Sequence, residues 1–202
     1  MPLLAIDTAS STVSVGLIVD GRAYEAEPLA DAFAAQRVLA SVDEVLVAAG
    51  LGIAELARII VGRGPGSFTG LRIGLATAQG LGAGTGATVV GVSTLAALLA
   101  AAPVGAVAVV DARRGEVFAE GPNVPPGSYA PADLLSLLPA ESQLVGDGAV
   151  RYAPLLTAAG HCVAPPTSRL HRPSAVGLSR AAELDPGPPT ALYLRAPDAV
   201  PR

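Results

Sequence analysis

Two stretches of the chain, about a hundred residues apart, carry one pattern. LLAIDTASSTVSVGLIVDG (residues 3–21) is an apolar run ending in Asp7, a small polar turn and a second β-rich run. AVAVVDARRGEVFAEG (106–121) repeats it, with Asp111 where Asp7 stands. Any strand–turn–strand unit looks somewhat alike, but here strand, terminal Asp and turn recur in the same order. The reading favoured is a degenerate internal duplication, which requires two similar lobes. A chain of 202 residues can give each lobe a core of its own.

The first half reads clearly. Apolar β-rich runs at 3–9 and 12–19 and the hairpin signal Asp20-Gly21 before 22–27 predict three antiparallel strands. A helix is expected from about Asp31 to Ala49, closed by Gly50, with Phe33, Leu39, Val42, Leu46 and Ala49 on its apolar stripe. RIIVG (58–62) is a buried strand, the stretch after it a helix to about Gly82, 87–93 another strand and 94–102 another helix. In the second half, helices are expected at 131–138, 149–159 and 173–184, with QLVGDG (143–148) as strand and turn. The proline-dense stretches 122–131, 165–173 and 186–189 read as loops.

Composition excludes several classes. Thirteen Arg, no Lys and a net charge of −4 leave no basic nucleic-acid footprint. The start, MPLLAIDTAS, lacks a basic region before its apolar run, so no secretory signal is expected. Pro103 and Gly105 interrupt the longest apolar run, so no membrane span is expected. The single Cys162 excludes an internal disulfide and suits a reducing cytoplasm.

GRGPGSFTGLRIGLATAQG (62–80) is the densest motif. A glycine loop between strand and helix can aim N–H groups at an anion, with Ser67 or Thr69 as helix cap and Asp7, Thr8, Ser10, Gly64 and Gly66 around it. The Walker pattern fails for want of a Lys, and the spacing is not G-x-G-x-x-G. The helix that follows is unusual: no charged residue lies between Arg72 and Asp111. Gly70, Gly74 and Thr77 form a row of small residues, and interior glycine costs up to ~1 kcal/mol each. That suggests a close neighbour, internal or from a second molecule; a second molecule is the reading favoured. His161 and His171 lack zinc-ligand spacing, and G-x-S-x-G is absent, so metal or serine-hydrolase chemistry has no motif. Asp7 reads equally as a metal–nucleotide contact or a turn cap.

LLAIDTAS at the start, GRGPGSFTGLRIG (62–74), VVDARRGEVF (109–118) and YLRAPDAV (193–200) together resemble the bacterial TsaB family, also called YeaZ. The resemblance implies an α/β two-lobed actin / sugar-kinase / Hsp70-like fold with duplicated β-β-β-α-β-α lobes. The first, partner-binding lobe would be 1–103 and the second 104–202, its C-terminal tail able to pack back on the first. It implies a non-catalytic subunit needed to form N6-threonylcarbamoyladenosine (t6A) beside the anticodon of tRNAs reading A-starting codons. Transfer would be performed by the paralogue TsaD with the ATPase TsaE. ATP and metal would enter through those partners, with no intrinsic cofactor, and tRNA would be met indirectly. Alone, the chain would pair with itself. The implied interface is Thr69, Gly70, Arg72, Ile73, Gly74 and Thr77, with Arg37 on the preceding helix. The loop would then carry only a degraded phosphate site. Two departures stand out: EVFAEGPNVPPG runs early into prolines, implying a trimmed second lobe, and DAFAAQR lacks the family's frequent histidine. A stand-alone ATPase or phosphotransferase of the same fold is the alternative, and a peptidase the third class.

Overall fold

A computed structural model describes residues 1–28 and 37–195. The predicted helix start at Asp31, with Phe33, and the end of the YLRAPDAV block lie outside the described residues. The chain opens with β1 (Leu3–Asp7), β2 (Ser14–Val19) and β3 (Arg22–Glu25), followed by α1 (Val38–Ala49), β4 (Arg58–Gly62), α2 (Phe68–Thr85), β5 (Thr88–Val92) and α3 (Thr94–Ala101). Then come β6 (Val107–Arg113), β7 (Glu116–Gly121), β8 (Val124–Tyr129), α4 (Pro131–Leu135), β9 (Gln143–Val145), α5 (Asp147–Arg151), α6 (Ala153–Ala158), β10 (Cys162–Val163) and α7 (Ala175–Leu184).

The strands form two five-stranded sheets, ordered β3-β2-β1-β4-β5 and β8-β7-β6-β9-β10. Each has an antiparallel meander on one side of its first strand and two parallel strands on the other. The order and sense of the strands are therefore the same in both, which is what a duplication requires. The Asp20-Gly21 turn has φ of 48° and 80°, the paired positive values of a tight hairpin turn.

Three layers of helix cover the sheets. Helices α1 and α2 bury Val42, Leu46, Leu71 and Leu75 on Leu4, Ile6, Ile59 and Val61. On the opposite face, Ala5, Ile60 and Val92 meet Ala97 of α3 and Leu178 and Ala181 of α7. β1 and β4 are thus covered on both faces, which is why they read as unbroken apolar runs. Helix α3 also joins the lobes, since its Leu95 and Leu98 pack on Ala108, Val110, Phe118 and Val145 of the second sheet. Leu134, Ala149 and Leu156 of α4–α6 close that sheet's outer face.

Three local expectations are corrected. Residues 124–129 are not loop but the edge strand β8. Its register with β7 shifts between Ala119 and Gly121, opposite Pro125 and Pro126, and an edge or bulge is where a strand tolerates residues without an N–H. The 149–159 helix is two short ones, α5 and α6, meeting at Tyr152. On α1 the buried stripe is Val38, Ser41, Val42, Val45 and Leu46, while Leu39 is exposed.

Candidate functional site

The ends of β1 and β6 meet where the two lobes face each other. Asp7 is fully buried there, and its Oδ2 accepts from Thr94 Oγ1 at 2.7 Å, at the first turn of α3. Its Oδ1 accepts from the N–H groups of Ala9 (3.0 Å) and Ser10 (3.4 Å). Burial outweighs these bonds and, with a smaller push from Asp147, lifts the Asp7 pKa to about 6. Gly62 lies against this carboxylate, and any Cβ there would overlap it.

The glycine loop packs onto the same turn. Ser67 N–H donates to Ala9 O at 2.6 Å, and Thr94 N–H to Gly64 O at 2.8 Å. A Cβ on Gly66 would overlap Ala9 O. Ser67 is the cap of α2, its Oγ accepting from Gly70 N–H at 3.3 Å. Thr8 is buried, its Oγ1 donating to Gly70 O at 2.7 Å. Ser10, also buried, donates from Oγ to Thr12 O. Side chains added at Gly70 and Gly74 would both overlap Thr8. This corrects the reading of the glycine row: Gly70 and Gly74 are buried, and their close neighbour is the β1–β2 turn of the same lobe.

What α2 exposes is its other side. Phe68, Thr69, Arg72, Ala76, Gln79, Gly80, Ala83 and Gly84 face outward, with Ile73 and Thr77 half-buried beside them. Arg72 stacks its guanidinium 3.7 Å from the Phe68 ring centre and is that face's one charged group. Leu39 and Val47 of α1, on the same side of the sheet, are 58% and 71% exposed. Arg37 is exposed at the N-cap of α1.

Two contacts tie the lobes, one at Asp147, which sequence reasoning missed, and one made by the C-terminal stretch, which was expected to pack back on the first lobe. Asp147 accepts from Ser11 N–H at 2.7 Å and from Asp111 N–H at 3.0 Å, bridging the two turns. Its signal was Gly146-Asp147-Gly148 after β9: Cβ atoms at these glycines would overlap Val109 O or crowd Val110, so α5 closes on β6 much as α2 closes on β1. Residues 187–195 run back as a strap. Gly187 pairs with Gly91, Gln79 Nε2 donates to Pro189 O, and Leu192 N–H to Arg63 O. Arg195 then reaches Glu116 Oε2 at 2.9 Å, and this bond with that from Ser128 holds the Glu116 pKa below its ordinary value.

The chemistry available here is limited. Asp7, Asp111 and Asp147 make the turns acidic, and their oxygens already hold backbone N–H groups, Thr94 or Arg151. Among the described residues no group of three or more His, Cys, Asp or Glu could hold a metal ion. His171 is buried, with ring nitrogens 3.1 and 3.0 Å from Gly146 O and Ala164 O. Among the described residues no helix is long and apolar enough to cross a membrane.

The duplicated sheets, joined through Asp147 at their facing turns, define a two-lobed α/β protein. A family model described as TsaD, tRNA N6-adenosine threonylcarbamoyltransferase, matches residues 29–122. The tRNA threonylcarbamoyladenosine biosynthesis protein TsaB of Haemophilus influenzae is 39% identical over 123 residues, covering 58% of this chain and 52% of that relative. An uncharacterized protein of Mycobacterium tuberculosis is 37% identical over 98% of this chain and 94% of its own length. YeaZ from Pseudomonas aeruginosa superposes with a TM-score of 0.77 at 27% identity, covering 96% of this chain and 99% of that one. The chain belongs to the TsaB/YeaZ family. Its match spans about half the length of the curated TsaB relatives.

Proposed function

We propose that this chain is the non-catalytic partner of TsaD in the bacterial complex that forms t6A on tRNA. The observation that carries the reading is the outer face of α2. It is a long exposed strip with a single charge, on a helix whose inner glycines are already used against Thr8. A strip of this kind favours protein docking over solvent. The interface is Thr69, Arg72, Ile73 and Thr77 with Phe68 and Ala76, extended by Arg37, Leu39 and Val47 of α1. Gly70 and Gly74 act behind it, setting how closely α2 lies on β1.

The same face serves a second copy of the chain when TsaD is absent. ATP and metal belong to TsaD and TsaE, since the strand-end turns are closed by the chain's own carboxylates. That closure also disfavours the stand-alone ATPase or phosphotransferase reading. A net charge of −4 supports tRNA contact through the complex, in the cytoplasm. Reconstitution tests this: the chain, cognate TsaD and TsaE, ATP, threonylcarbamoyl-adenylate and tRNA are combined and t6A is read by nucleoside mass spectrometry. We expect t6A only when this chain and TsaD are both present. Product from the chain without TsaD, or from TsaD and TsaE without the chain, contradicts it.

A further inference from the structure

A groove of about 840 Å³ lies between the end of α3 and the β7–β8 turn. Its walls are apolar and stiff: Leu99, Pro103 and Val104 on one side, Pro122 and Pro125 on the other. Val104 is wholly exposed at the groove's rim. Glu120 lines the groove half-buried, and no described group hydrogen-bonds to it or pairs with it. Arg180 also lines the groove, but its Nη1 donates to Ala100 O at 3.3 Å, at the last turn of α3.

From this geometry we infer that the groove is a docking site for an arginine side chain presented by an apolar segment of a partner protein. The argument is one of charge complementarity. A half-buried carboxylate without a cation is unfavourable until one arrives. Burial raises the Glu120 pKa, and the nearby Asp185 carboxylate raises it further. Proline walls suit the apolar stem of an arginine and lose little freedom on contact. The planar, weakly hydrated guanidinium gives up water more readily than an ammonium, which selects arginine over lysine.

The test is a titration of the 15N-labelled chain followed by amide shifts of Gly105, Gly121 and Asn123. The probes are acetyl-prolyl-arginine amide, its neutral citrulline isostere and spermidine. We expect saturable shifts at these amides with the arginine peptide, at least fivefold weaker binding of the citrulline peptide, and loss of the arginine preference in Glu120→Gln. Equal binding of arginine and citrulline peptides overturns the proposal without recourse to any variant. So does an arginine preference that survives Glu120→Gln, tighter binding of spermidine than of the peptide, or no shift at all.

Discussion

The two lobes share one strand order, yet they give the Asp at the end of their first strand different partners: Thr94 and backbone N–H groups for Asp7, arginines for Asp111. In the first lobe an 18-residue helix, α2, lies so close to the β1–β2 turn that Asp7 is sealed from water. In the second, α5 and α6 have five and six residues, and the Asp111 carboxylate, though its side chain is only 8% exposed, is met by two arginines that reach into solvent, Arg151 at 2.9 Å and Arg113 at 3.5 Å. The difference teaches what each glycine-led helix start is for. In both lobes it lets helix meet strand end; only in the first is the helix long enough to leave a broad outer face over the seal. The lobe that closes its Asp behind a long helix is the one whose helix keeps a broad exposed outer face.

Breaking the seal should produce the largest effect. Gly74→Val places a branched side chain where Thr8 already stands, and overpacking of this kind costs about 3 kcal/mol. Gly80→Ala, at an outward position of the same helix with open space around it, should instead stabilise by about 0.5–1 kcal/mol. Urea unfolding of the two variants checks both signs. Equal effects would mean that α2 has no distinct inner and outer side.

Asp7 sharpens the comparison through pH. Its folded pKa of about 6 lies above the ordinary 3.8, so the folded state binds the proton more tightly. The associated stability is fully present below pH 3.8 and is lost as pH rises through 6. From pH 5 to pH 7 the wild type should therefore lose about 1 kcal/mol relative to Asp7→Asn, which has no proton to release. Paired denaturation curves at the two pH values measure it; parallel profiles would mean that Asp7 is not sealed. The smallest change is expected from Arg151→Ala. Its guanidinium is half in solvent and Arg113 stays 3.5 Å from the largely buried Asp111 carboxylate, so the melting temperature should fall by no more than about 2–4 °C.

Much of this comparison was legible beforehand, and the misses have physical reasons. Asp20-Gly21 and Gly50 announced themselves because turns and helix ends demand positive φ, a local property. β1 and β4 were plain because burial on both faces leaves no polar residue to interrupt them. β8 was hidden because Pro125 and Pro126 are loop signals unless a strand is an edge, and edges are a tertiary fact. The row Gly70–Gly74 disclosed that something lies close to α2, but spacing carries no information about which element it is; Thr8 is 62 residues from Gly70. For Asp147 the flanking glycines signalled a close approach, but its partners were equally out of reach. Its partners, Ser11 and Asp111, come from the two ends of the duplication, and only the closed fold puts one carboxylate between them.

The central claim is that α2 turns its glycines inward and offers its uncharged outer side to a partner. The most direct measurement is light scattering with gel filtration on the chain, alone and mixed with cognate TsaD, for wild type and Ala76→Glu. A single carboxylate at this exposed position should leave the melting temperature unchanged. The account predicts that wild type pairs with itself and exchanges into a heterodimer, while Ala76→Glu stays a folded monomer in both mixtures. A variant that pairs as the wild type does would contradict it.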